Sequence, residues 1–305
     1  MRITSQNASI KIFLAPFWLA LLGLFFSGSH LTWAKDAAPV TSVPDVRTTA
    51  EGAESAWIEL IVGSEKPLAR LWLAGPRGEA SEECIVITHG MGGTVSGDRF
   101  HRLAETIRKR LPRASVVRVD WSERAAPKAG GFPNPWKVAG SIDGVGDEAA
   151  QVLAASGIDP ARTTFIGESF GNWVNARIAF QMGGVQGILA LNPASEAGGY
   201  PPTDLRPLAR RSCSLQTYSV FDSTLEIAER DFWLKTSPDA TQFAQHTAGI
   251  QWLRDRIEEG DLTWLRSEQP LPPRRPGHFR ATAAIDGRLL HEQVSRERPN
   301  LPGNN

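Results

Sequence analysis

Apolar residues along this chain gather in short unbroken runs, separated by stretches whose apolar positions recur every three to four residues. Cys84-Ile-Val-Ile-Thr88 is such a run, of the kind expected in a parallel strand buried on both faces. Ser115 to Trp121, Thr163 to Ile166 and Gly187 to Leu191 repeat the signal. Leu215 to Asp222 alternates like a strand, and Asp231 to Leu234 suggests a second short one. Trp57–Val62 and Leu68–Leu73 form two further strands around a polar turn.

Helical periods lie between these runs. Phe100, Leu103, Ala104, Ile107 and Leu111 share one face, and Pro112 ends that helix. A Gly/Pro-rich loop, Ala125 to Pro135, leads to a helix near Ile142–Ser156 that stops at Gly157. Another helix follows residue 169 and runs to about Met182. The last carries Ile250, Leu253 and Ile257 after His246. Strand and helix alternation of this kind predicts an α/β protein with a mostly parallel central sheet covered on both faces.

The ends follow a different pattern. Arg2 and Lys11 precede an apolar run, Ile12 to Phe26, and Thr32-Trp-Ala34 supplies small residues before a cleavage point. Residues 1–34 therefore read as an export signal cleaved after Ala34, leading to the periplasm or outside. An uncleaved membrane anchor is the alternative, although the run is shorter than the ~20 residues a spanning helix needs. Residues 35–55 read as a flexible leader, 56–267 as the folded domain, and 268–305 as a Pro/Arg-rich tail.

Composition narrows the function. With 33 basic and 33 acidic residues, net charge is zero, which argues against nucleic-acid binding and a polybasic membrane surface. Cys84 and Cys213 fall on strands of opposite wings, which argues against a disulfide between them but leaves it open.

The densest chemical signal is Gly167-Glu-Ser169-Phe-Gly171, a G-x-S-x-G between a strand and a helix. That context makes a nucleophile elbow, with Ser169 on a sharp turn and the glycines allowing close approach. A serine hydroxyl needs a base, a group that orients the base, and donors for an oxyanion. His89-Gly-Met-Gly-Gly follows the Cys84 strand, so the Met91 and Phe170 amides are expected to form the oxyanion hole, with His89 structural. His246, placed in the loop that opens the last helix, is the expected base, with His278 next. For the acid, the turn after Leu191 offers only Asn192. Asp222 after the next strand is the choice, ahead of Asp231 and Asp239.

These pieces resemble the pancreatic-lipase family of α/β-hydrolases. The resemblance covers about Cys84 to Ile257, through Ile87-Thr-His-Gly90, Val119-Asp-Trp121, Phe165 to Asn172, Leu191-Asn-Pro-Ala194, Leu205 to Asp222 and Arg230-Asp-Phe-Trp233. It implies an ester hydrolase acting through an acyl-serine, with Ser169 as nucleophile and His246 as base. Three features depart from the family. Asn192 stands where its acid lies in a Leu-Asp-Pro-Ala turn, Glu168 stands where it usually has histidine, and the stretch from Asp231 to His246 is too short for a long lid.

The chain thus reads as an exported serine hydrolase of carboxylic esters. It would need no metal or organic cofactor, would act on a small ester or lipid, and could touch a lipid surface transiently. Asn192 motivates an alternative, a non-catalytic protein that holds lipid or glycan in the same cleft. A peptidase or acyltransferase with the same triad remains a third reading, because fold does not choose the acceptor.

Overall fold

A computed structural model describes residues 46–50, 57–62, 66–77, 81–94, 97–126, 133–195, 199–217, 219–222, 226–236, 239–266, 278–283 and 289–294. The signal and anchor expectations fall outside these residues, as does most of the Gly/Pro-rich loop that begins at Ala125. Among the described residues no helix is long and apolar enough to cross a membrane.

Eleven strands form one sheet: β1 (Val46–Ala50), β2 (Ile58–Val62), β3 (Arg70–Ala74), β4 (Glu83–Thr88), β5 (Ala114–Asp120), β6 (Thr163–Glu168), β7 (Val185–Leu191), β8 (Ala209–Gln216), β9 (Arg230–Lys235), β10 (His278–Ala283) and β11 (Leu289–Val294). They lie in the order β1-β2-β3-β5-β4-β6-β7-β8-β9-β10-β11. From β5 through β4 to β10 every neighbouring pair is parallel, whereas β1, β2, β3 and β5 pair antiparallel, as do β10 and β11. The exchanged order of β4 and β5, with an antiparallel wing on one side and an elbow after β6, makes this an α/β-hydrolase fold.

Strand alternation divides the core in two. In β4, Cys84 and Val86 face one side while Ile85 and Ile87 face the other; in β7, Ile188 and Ala190 oppose Leu189 and Leu191. The first face packs on α4 (Ile142–Ala155) through Val145, Ala149 and Leu153, and on α5 (Gly171–Gln181) through Trp173, Val174 and Ile178. The opposite face packs on α1 (Asp98–Arg110) through Leu103 and Ile107, and on α6 (Gln242–Glu258) through Ile250, Trp252 and Leu253. Two short helices, α2 (Ser122–Ala125) and α3 (Pro135–Ala139), follow β5.

Three details differ from the sequence expectation, the first being that β8 spans Ala209–Gln216 where the alternation suggested a strand over Leu215–Asp222. The sheet runs past the 56–267 limits at both edges, because β1 lies in the segment read as a leader and β10 and β11 in the segment read as a tail. Main-chain pairing builds these edge strands, and it leaves no apolar run for a reader of side chains to find. His246 lies in the second turn of α6 rather than in a loop before it. The helix starts earlier because the Thr241 hydroxyl caps the Ala244 N–H at 3.1 Å. Cys84 and Cys213 are both buried free thiols, and burial pushes each up to about 12.

Candidate active site

The elbow is built by close backbone approach. Ser169 follows β6 with φ of 54°, in the left-handed region, and α5 starts two residues later. A Cβ on Gly167 would stand 2.6 Å from Asn172 Oδ1, and one on Gly171 would stand 2.6 Å from the His89 carbonyl oxygen, so both positions require glycine. The turn is fastened from β7: Ser169 N–H donates to the Leu191 carbonyl at 3.1 Å, and Asn172 Nδ2 donates to the Ser169 and Leu191 carbonyls at 3.0 and 2.9 Å. The Ser169 hydroxyl itself has no hydrogen-bond partner among the described residues.

Two elements distant in sequence bring a histidine and a carboxylate together near the elbow. His246 Nδ1 forms a short hydrogen bond with Asp222 Oδ1. The other carboxylate oxygen accepts from Thr217 N–H at 2.6 Å, Thr217 Oγ1 at 2.8 Å and Asn192 Nδ2 at 2.9 Å. Because Nδ1 carries the proton shared with Asp222, Nε2 is left as the acceptor. Burial pulls the His246 pKa down. The Asp222 hydrogen bond and charge, with the charge of Glu168, outweigh burial and a small opposing effect of Arg99, so the net direction is up.

Asn192 also sits at a positive φ, 46°. Besides Asp222, its Nδ2 reaches Thr217 Oγ1 at 3.2 Å, and its Oδ1 accepts from Gly249 N–H of α6 at 2.9 Å. It thus links the Asp222 carboxylate to α6. This contact explains a glycine inside a helix: a Cβ on Gly249 would run into the Asn192 amide.

The loop after β4 has the form an oxyanion hole needs. His89 is fully buried, its Nδ1 bonded to the Gly90 carbonyl at 2.9 Å and its Nε2 accepting from Trp121 N–H at 3.1 Å, which makes it a structural residue as expected. A Cβ on Gly90 would lie 2.6 Å from Ser169 Cβ, so this loop lies directly against the serine. Gly92 and Gly93 spend their amides on the Ala125 and Gly90 carbonyls, whereas the Met91 and Phe170 amides have no acceptor among the described residues.

Sequence reasoning did not foresee two contacts. Glu168 Oε2 accepts from Gly90 N–H at 3.0 Å, and Glu168 Oε1 stands 4.0 Å from His246 Nε2. Ser169 and His246 are not hydrogen-bonded to each other. Among the other candidates, Asp231 bonds the Ser214 hydroxyl, and the side chain of His278 is outside the described residues.

One exposed apolar side chain lies against His246, and two more flank it in sequence or on α6. Phe221 meets His246 edge-to-face at 5.7 Å and is 46 % exposed, with Val220 and Phe243 more exposed still.

No family model matches the chain, and no curated protein matches its sequence. Solved structures do align with it. An α/β serine hydrolase without a lid from Xanthomonas campestris is 20% identical, with a TM-score of 0.45 over 74% of this chain and 100% of that one. Est1E from Butyrivibrio proteoclasticus is 11% identical, with a TM-score of 0.45 over 69% and 99%. A dienelactone hydrolase from Anabaena variabilis is 12% identical, with a TM-score of 0.41 over 74% and 100%. With similarity this low, the fold assignment stands on this chain's own strand order and elbow.

Proposed function

We propose that this chain is a serine hydrolase of carboxylic esters, working through an acyl-serine. The observation that carries the reading is the Asp222–His246 pair beside a serine on a left-handed elbow turn. Ser169 Oγ attacks the ester carbonyl while Nε2 takes its proton. The Met91 and Phe170 amides, without other acceptors, stabilise the oxygen that becomes negative. The imidazolium then delivers its proton to the leaving alcohol, and water repeats the sequence on the acyl-enzyme. Catalytic hydrogen bonds are often long before substrate binds, so the unpaired Ser169 hydroxyl fits a resting site.

Phe221 packed on His246, with the exposed Val220 and Phe243 nearby in sequence, favours an ester with an apolar acyl or alcohol group, and a transient lipid-surface contact belongs to the same reading. Export by the signal at 1–34, and kinship with the pancreatic-lipase family, rest on sequence alone. Asn192 had motivated a non-catalytic alternative. The Asp222 carboxylate, hydrogen-bonded to both Asn192 and His246, supports the catalytic reading over that alternative.

The test is labelling of the purified chain with a fluorophosphonate. Labelling that disappears in Ser169→Ala and His246→Ala, with turnover of a short-chain nitrophenyl ester, is the expected result. An unlabelled wild-type chain that retains lipid without turnover would overturn the reading in favour of a binding protein.

A further inference from the structure

Glu168 closes β6 immediately before the elbow serine, and its side chain is only 5 % exposed. A carboxylate taken this far out of water must gain from its neighbours. Glu168 meets a different group through each oxygen. Oε2 takes the Gly90 N–H at 3.0 Å, which ties the oxyanion loop to the elbow. Oε1 faces His246 Nε2 at 4.0 Å, on the side of the imidazole opposite Asp222. Any acceptor at this place could hold the loop, but only a charged one also acts on the histidine.

We propose that Glu168 is a positioning residue of the reaction, which fixes the Gly90 loop against Ser169 and stabilises the His246 imidazolium from its Nε2 side. The proposal rests on the reading of Ser169 and His246 as nucleophile and base. During attack the Ser169 proton moves to Nε2 as the Oγ–carbon bond forms, and the resulting cation lies between two carboxylates. That proton leaves with the alcohol when the ester C–O bond breaks. Glu168 neither gains nor loses a proton in either step.

The same charge acts on the resting protein. Three charged groups face His246 from the elements around it: Asp222 from the turn after β8, Glu168 from β6, and Arg99 from α1, which opposes the other two. Burial and Arg99 work against the charged form, but the two anions outweigh them together, so the neutral base becomes available at a higher pH than in an ordinary histidine.

Glu168→Gln separates the two roles, because the amide oxygen still accepts from Gly90 N–H while the charge is gone. The His246 titration, followed by NMR in the full chain carrying Ser169→Ala, is expected to fall by about 1 pH unit or more. The rising limb of fluorophosphonate labelling in the Ser169 protein is expected to move to lower pH with it. Glu168→Ala should show the same shift and in addition a labelling plateau roughly 10-fold or more lower, because the oxyanion loop loses its anchor. A His246 titration unchanged in Glu168→Gln overturns the proposal. If that variant does not fold, the ¹³Cδ shift of Glu168 in the native chain decides: a step at the pH where His246 titrates is expected, and a flat trace overturns the idea. The NMR readings need no turnover, so a chain that never labels would sink the hydrolase reading and still leave Glu168 tested.

Discussion

Ser169 and Asn192 are the two non-glycine residues with positive φ among the described residues, and they stand side by side. Each directly follows the last residue of its strand, and those last residues, Glu168 and Leu191, are partners in the β6–β7 register. Their side chains have opposite fates. The Ser169 hydroxyl bonds to nothing among the described residues. The Asn192 amide is committed to Asp222, Thr217 and Gly249. Left-handed backbone costs a residue with a side chain roughly 1–2 kcal/mol, less for asparagine. The fold bears this strain twice on neighbouring strands, once to leave a hydroxyl unpaired and once to insert an amide between the Asp222 carboxylate and the helix that carries His246. Strain at a strand end therefore does not identify the reacting group; the side chain left without a partner does.

Substitution of both residues tests that distinction most severely. Ser169→Ala should lower ester turnover by about 10⁴-fold or more and abolish labelling, because no other nucleophile replaces it. Asn192→Ala should still label, at a rate lower by roughly 10–100-fold, since it acts only through Asp222 and α6. If the two losses are equal, the comparison breaks and Asn192 is part of the reacting machinery itself.

Asp222→Asn comes next. Replacing the carboxylate should lower turnover by about 10⁴-fold, because an amide at this position favours the wrong imidazole tautomer. It also carries a pH signature. The folded pKa of His246 is raised despite its burial, because the Asp222 hydrogen bond and charge, with the Glu168 charge, together outweigh that burial. A raised pKa means that the stability contributed by the charged histidine is full below the unfolded value of about 6.5 and is lost as pH rises through the folded value. The melting temperature of the native chain should therefore decline across that interval, and the decline should shrink in Asp222→Asn. An undiminished decline would show that Asp222 is not what holds the proton on His246.

Much of this was legible from side-chain pattern. Runs such as Cys84–Thr88 gave the buried strands, and the glycines around Ser169 gave the elbow, because each records a steric demand local to its own segment. Asp222 could be chosen over Asp231 because the Leu215–Asp222 alternation puts it just beyond the strand that follows Leu191, although β8 itself spans Ala209–Gln216 and Asp222 lies in the turn after it. What escaped was contact between segments. Nothing near residue 192 announces that its amide reaches Gly249, 57 positions away. Glu168 stood out only as an unusual neighbour of the serine, while its partners Gly90 and His246 come from two other elements. The Thr241 cap, five residues upstream of His246, starts α6 before its apolar period begins, so the apolar pattern alone puts His246 outside the helix.

Stability separates the two strained positions by sign. Asn192→Gly removes the smaller strain of an asparagine but also the hydrogen bond to a buried carboxylate and the acceptor that Gly249 uses. Loss of a hydrogen bond to a charged group costs about 1.5–3 kcal/mol, more than the relief returns. Urea unfolding should therefore show a net destabilisation of about 2 kcal/mol. A neutral result would mean that water replaces the amide at no cost, and the clamp would lose its energetic basis.

Ser169→Gly is the smallest effect and the one most specific to the comparison. Relief of the left-handed turn returns roughly 1–2 kcal/mol. Against it stands the extra chain entropy that glycine loses on folding, roughly 0.5–1 kcal/mol. No side-chain hydrogen bond is lost, because the hydroxyl has none, and the Ser169 N–H and carbonyl keep their partners on β7 and α5. The net is a stabilisation of about 0.5–1 kcal/mol in a chain that no longer labels, measurable as a higher urea midpoint with an unchanged slope. A lower midpoint would mean that the native hydroxyl is bonded in solution after all. Its natural acceptor would then be His246 Nε2, and the resting site would already hold the serine and its base together.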